Sequence, residues 1–147
     1  MFIRTDSRAV MPKVKTMKSA GYDLCSLDDC RIMPGEIKLV RTGIALDQPY
    51  VSQEFINHYF ALHIRSSIAL KKKLLLANGV GVIDIDYPDE IMVMLFNPIT
   101  TMNLGEQEPV SISAGERIAQ LVLQECVTVV DYVEQTVRNG GFGSTGM

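Results

Sequence analysis

The chain has no run of about 18 consecutive apolar residues, so it offers no transmembrane helix. Its first residues, Met1-Phe2-Ile3-Arg4-Thr5-Asp6, hold no apolar stretch of signal-peptide length and carry an early acid. The expectation is a protein with no membrane partner that stays in the cytoplasm, the host's if the chain is viral. Histidine is scarce: only His58 and His63 offer imidazoles, which argues against a zinc centre built by the protein. The cysteines, Cys25, Cys30 and Cys126, are odd in number and lack Cys-x-x-Cys spacing, so reduced thiols are expected. An excess of positive charge is also missing. Lys and Arg number 14 against 17 Asp and Glu, giving a net charge of −3 and a pI of about 5.3. Phosphate contacts supply most of the affinity of nucleic-acid binders, so stable nucleic-acid binding is not expected. A small phosphorylated ligand stays compatible, provided that a few local donors or a metal handle its charge.

What is present is one domain's worth of chain, 147 residues, 47% apolar and 21% charged. Short apolar runs separated by turn signals dominate, with no long helical period and no internal repeat. Glu36 to Val40 alternates like a half-buried strand. Within Phe55 to Ile64, Phe60, Leu62 and Ile64 fall on one face and Tyr59, Ala61 and His63 on the other. Ile91 to Phe96 is a continuous apolar run and suits a strand buried on both faces. Ile118 to Leu123 and Val127 to Val130 are further strand candidates. Pro34-Gly35, Asn78-Gly79, Pro88-Asp89 and Ala114-Gly115 mark turns. One short helix is expected after Ser66-Ser67, with serine as N-cap and lysines in its last turn. Many short strands with regular turns predict an all-β sandwich or barrel. Four of the last ten residues are glycine, which predicts a mobile end.

Four segments carry chemistry. Arg65-Ser66-Ser67 sits where a strand gives way to a helix; an arginine fork and two hydroxyls there suit phosphate oxygens. Asn78 to Tyr87 places Asp84 and Asp86 on one face of an extended segment, with an aromatic wall beside a carboxylate base. Gly115-Glu116-Arg117-Ile118-Ala119-Gln120-Leu121 leads from a turn into a strand, with Gln120 interrupting an apolar run. The tail, Arg138 to Met147, sets Phe142, Ser144 and Thr145 among glycines, as a closing lid needs.

Together with Ser19-Ala20-Gly21-Tyr22-Asp23-Leu24, these segments resemble, in order, the five motifs of the trimeric dUTPases. Asp84-x-Asp86-Tyr87 and Gly-Phe-Gly-Ser-Thr-Gly are the most specific parts, and the 19-residue step from Arg65 to Asp84 fits as well. The resemblance implies a jelly-roll-like β fold over 1–130, and an arm over 131–147 that closes on an active site, in all expectation a neighbour's. It implies a homotrimer with sites between subunits. It also implies Mg²⁺-dependent hydrolysis of dUTP to dUMP and pyrophosphate, which limits uracil incorporation into DNA and supplies dUMP for thymidylate synthesis. By match of position, Asp84 activates the water, Tyr87 packs on the deoxyribose, and Asn78 with its hairpin reads uracil. Arg65, Ser66, Ser67 and Gln120 hold phosphate oxygens, and Asp23 holds the water shell of the metal. Arg138, Phe142, Gly143, Ser144 and Thr145 supply the closing contacts. Two departures stand out. Pro88-Asp89 replaces the Arg-Gly usual after the aspartate motif, and is expected only to change a turn. Arg138 precedes Phe142 by four residues where the family has five. The rivals are dCTP deaminase on the same fold, and a regulatory binder that uses dUTP as a switch.

Overall fold

The computed structural model describes residues 1–99 and 108–127. Within them the all-β expectation holds. The strands are Phe2–Arg4 (β1), Gly21–Cys25 (β2), Cys30–Ile32 (β3), Ile37–Val40 (β4), Ile44–Leu46 (β5), His58–Ile64 (β6), Leu75–Leu76 (β7), Gly81–Asp84 (β8), Val93–Phe96 (β9), Val110–Ile112 (β10) and Arg117–Glu125 (β11). All pairings are antiparallel. The largest sheet runs β2-β11-β6-β8, a second runs β4-β9-β7, and two pairs, β1-β5 and β10-β3, complete the jelly-roll-like framework.

The core lies between these layers. Leu24, Phe60, Leu62, Leu95, Ile118 and Leu121 are each fully buried, and each such side chain is worth about 1.5–3 kcal/mol over its exposed state. All three cysteines are free thiols; burial pushes the Cys25 and Cys30 thiols up from their ordinary range. Among the described residues no helix is long and apolar enough to cross a membrane.

The helical turn after Arg65 exists, but it is wound differently from the expectation. Ser66 and Ser67 start it, and Ile68–Lys72 has π geometry. Ser67 lies in the helical region and makes no side-chain capping bond; the Arg65 carbonyl starts the turn by accepting from Ile68 N and Ala69 N at 3.0 and 3.1 Å. Lys73, at φ 57°, ends it. A second helical element, Gln48–Glu54 (α1), was not foreseen.

Two strands differ from their expected burial. In β4 the apolar residues Ile37 and Leu39 are 57% and 44% exposed, while Val40 is buried. The register explains this: Ile37 pairs Phe96, which pairs Leu75, and Leu39 pairs Met94, so these residues share the outer face of their sheet. β9 follows from the same register. Val93 and Leu95 are fully buried, but Met94 and Phe96 only partly, so one face of the strand is core and the other is not.

Candidate active site

Residues directly opposite in an antiparallel ladder share a face. In the large sheet Asp23 pairs Gln120, which pairs His63; Gly21 pairs Val122, which pairs Ala61, which pairs Val82; Tyr59 pairs Asp84. Asp23, Gln120 and Asp84 therefore stand on one face, opposite the face that carries Leu24, Leu121, Phe60 and Leu62 into the core.

Two clefts flank Arg65. One, of about 320 Å³, is lined by Lys15, Ser19, Gly21, Asp23, Arg65, Ser66, Arg117 and Gln120. The other, of about 390 Å³, is lined by Ser67, Lys71, Lys72, Gly115 and Glu116, and shares Arg65 and Arg117 as a common wall. In the first cleft Asp23 is gripped at both oxygens. Arg65 Nε lies 3.1 Å from Oδ1, and Arg117 Nη1 lies 2.8 Å from Oδ2. Lys15, Arg65 and Arg117 against Asp23 leave the cleft cationic, in a chain that is acidic as a whole. Gly21 makes room for Gln120: a Cβ at that position would lie 2.9 Å from Gln120 Oε1 and 3.1 Å from its Cβ.

A bulge arranges this cluster. In the β2–β11 ladder Ala119 pairs Leu24, yet Arg117 pairs Cys25, so Ile118 is an extra residue. An extra residue shifts the alternation by one. Ile118 and Ala119 both turn inward and are fully buried. Arg117, which regular alternation would send to the core, emerges on the face of Asp23.

The aspartate motif lies elsewhere on the sheet. Asn78 is exposed in the turn before β8, where Gly79 N bonds Leu76 O at 3.0 Å. Gly79 takes φ 72° with open space around it, and Gly81 lies against Leu62. Asp84 ends β8, and the chain turns immediately, with Tyr87 N donating to Asp84 O at 3.0 Å. Asp86 is exposed within that turn; it does not continue the strand face of Asp84, contrary to the expected extended segment, because the ladder with β6 stops at Tyr59. Asp84 lines a cavity of about 660 Å³ together with Ile56, His58, Tyr59, Val82 and Cys126.

Tyr87 is 6% exposed and belongs to the core cluster. Its carbonyl accepts from Gln48 Nε2 at 2.7 Å, and its hydroxyl lies 3.4 Å from Glu90 O. Glu90 in turn receives Thr42 N and Gly43 N on Oε1, at 3.0 and 2.8 Å, and the Arg41 guanidinium on Oε2. Pro88-Asp89 immediately precedes Glu90, whose carboxylate ties this segment to Arg41, Thr42 and Gly43.

Of the expected site residues, the fold brings Asp23, Arg65, Ser66 and Gln120 into one cleft and Ser67 into the adjoining one. It does not bring Asp84 to them. Asp23 and Asp84 are three strand spacings of about 4.8 Å and four residues of about 3.3 Å apart, roughly 20 Å on the diagonal. Arg138, Phe142, Gly143, Ser144 and Thr145, and most of Val127 to Val130, lie outside the described residues. Sequence reasoning left Lys15, Arg117, Gln48 and Glu90 without roles. For Arg117 the signal was its place within the Gly115-to-Leu121 segment; the other three gave none.

Comparison with known proteins bears on this arrangement. The dUTPase family model matches residues 7–146. Deoxyuridine 5′-triphosphate nucleotidohydrolase of Corynebacterium jeikeium is 40% identical over 153 residues, covering 99% of this chain and 91% of that protein. The protein of the same name from Desulfitobacterium hafniense is 37% identical over 153 residues, covering 99% and 93%. The crystal structure of dUTPase from Streptococcus mutans superposes with a TM-score of 0.69 at 30% identity, covering 87% of this chain and 97% of that one.

Proposed function

This chain belongs to the dUTPase family and is a hydrolase acting on dUTP, and we propose that it releases dUMP and pyrophosphate, with Mg²⁺, from sites shared between the subunits of a homotrimer. The observation that carries the shared site is the separation just described. A base that aligns an attacking water must reach it within about 2.6–3.2 Å. Asp84 therefore cannot serve the phosphate cleft of its own chain at roughly 20 Å. A second copy can bring its own Asp84 to that cleft. The apolar outer face at Ile37, Leu39 and Leu75 supports an assembled state as well.

In this reading Arg65, Ser66, Ser67 and Gln120 hold the phosphate oxygens. The absence of a side-chain cap at Ser67 leaves its hydroxyl to a ligand. Asp84, at a strand end, orients and deprotonates the water for attack on phosphorus, and the protein's remaining work is positioning and charge stabilisation. Asn78 and the backbone of its hairpin read the uracil edge, and Tyr87 sets the shape beside the sugar. Arg138, Phe142, Gly143, Ser144 and Thr145 close over the bound nucleotide.

The residues fit magnesium in one way. Among the described residues no three His, Cys, Asp or Glu side chains could hold an ion, and both Asp23 oxygens are already paired with arginines. Magnesium is commonly bound through substrate phosphates and one or two carboxylates while keeping several waters. Asp23 fits as the acceptor for those waters, and the bound ion supplies charge neutralisation on the phosphates.

The test is phosphate-product analysis with the four deoxynucleoside triphosphates and UTP, with and without Mg²⁺. Pyrophosphate from dUTP alone, and only with metal, supports the reading. Ammonia from dCTP would indicate the deaminase, and retention of dUTP without turnover a binder. Sedimentation as an active monomer would remove the shared site.

A further inference from the structure

We propose that Arg117 is a positioning residue that keeps the Asp23 carboxylate aimed into the triphosphate cleft when Arg65 leaves it for the phosphates. This rests on the reading of the cleft given above and deepens it.

Asp23 now has two cationic partners, one on each oxygen, and its side chain is only 16% exposed. The partners are not equivalent. Arg65 starts the helical turn at the mouth of the cleft, and its contact with Asp23 runs through Nε. A guanidinium that grips a phosphate in the usual two-pronged way presents Nε and Nη, or both Nη, to the anion. Where Nε and an Nη take the anion, Arg65 gives up or shares its ion pair with Oδ1. A carboxylate left half-buried beside a triphosphate, with no cation of its own, would be repelled and would turn away. Arg117 prevents this. Its hydrogen bond to Oδ2, at 2.8 Å, is the shorter of the two contacts, and Arg117 stands on β11, the strand paired directly with that of Asp23.

The β11 bulge is an independent observation pointing the same way. The extra Ile118 is what places Arg117 on the Asp23 face at all. Without it Arg117 would follow the core alternation of Ala119 and Leu121. Bulges of this kind re-aim side chains next to active sites. The arrangement divides the labour: one arginine is exchangeable and goes to the ligand, while the other stays and fixes the acid that meets the metal's water shell. Groups that orient a metal-binding carboxylate typically contribute about 10–100-fold to metal affinity or activity.

The experiment is a double-mutant cycle on Asp23→Ala and Arg117→Ala, with Arg117→Lys as the conservative variant and circular dichroism to confirm folding. Two quantities are read: kcat for dUTP, and the calorimetric affinity for a non-hydrolysable imido analogue in Mg²⁺ and in EDTA. Arg117→Ala should lower kcat and the affinity in Mg²⁺ each by about tenfold, with little change in EDTA. Arg117→Lys should recover part of the loss, and the double variant should lose no more than the worse single one. Equal losses in Mg²⁺ and EDTA, multiplicative losses in the cycle, or no loss at all would each overturn the inference while wild-type turnover stands. A wild-type protein that neither binds nor hydrolyses dUTP would overturn the underlying reading, and the inference with it.

Discussion

Replacing Asp84 by asparagine keeps the shape of the side chain and removes its capacity to take a proton. Turnover should fall by about 10²–10⁴-fold while analogue affinity stays within a few fold, read as kcat against calorimetric binding. Tyr87 calls for a different design. The residue is 6% exposed, so Tyr87→Ala should lower stability by about 3 kcal/mol in urea unfolding before selectivity can be judged. Tyr87→Leu keeps most of the volume and should relax dUTP-over-UTP selectivity in kcat/KM by about tenfold. At this scale the sequence was informative wherever side-chain type and order carried the role. Asp23, Arg65 and Gln120 do meet in one cleft, as their motif positions implied. Arg117 was not legible, because period-two alternation assigns it to the core and nothing in the letters around Ile118 announces an extra residue. Tyr87 as a core residue was equally hidden, since its carbonyl meets Gln48, 39 residues away, and its hydroxyl meets the Glu90 backbone.

Elements were legible in kind and less so in detail. The strands that alternate were found, yet alternation does not say which face meets the core. In β4 that choice was made by pairing with β9, and the apolar residues went outward. α1 escaped notice because seven residues with one buried side chain, Val51, leave no period to read; the only cue was a proline at its start. The segment after Tyr87 shows how an element is held by distant chain. Glu90 ties it to Arg41, Thr42 and Gly43, and Thr42 Oγ1 donates to Ile91 O at 2.5 Å in the interior. Glu90→Ala strands two backbone N–H groups that it now satisfies. It should lower stability by about 2–3 kcal/mol, seen as an earlier urea midpoint. It should also lower kcat more than it raises KM, because the Asp84 hairpin loses its anchor.

At the scale of the molecule, the resemblance implied sites between subunits, but the letters alone do not show that one chain holds Asp23 and Asp84 roughly 20 Å apart. That follows from strand order, with β2 and β8 on opposite edges of one sheet. Two inactive variants should therefore rescue one another. Arg65→Ala and Asp84→Asn, refolded together in equal amounts, should regain activity in roughly one site in four, since a competent site draws an intact cleft from one variant and an intact aspartate from the other. Separately refolded controls, mixed afterwards without exchange, should stay inactive. The same geometry has a genetic side. In the proposed shared-site trimer a subunit lends an aspartate to one neighbour and relies on another for its own, so it takes part in two centres. A copy carrying either substitution silences one centre of a mixed trimer, whereas a copy carrying both silences two, its own cleft and the one it should have served. In a cell that also makes the normal chain, the doubly altered allele should act as the stronger dominant, although it and the single alterations each leave only trace activity when expressed alone.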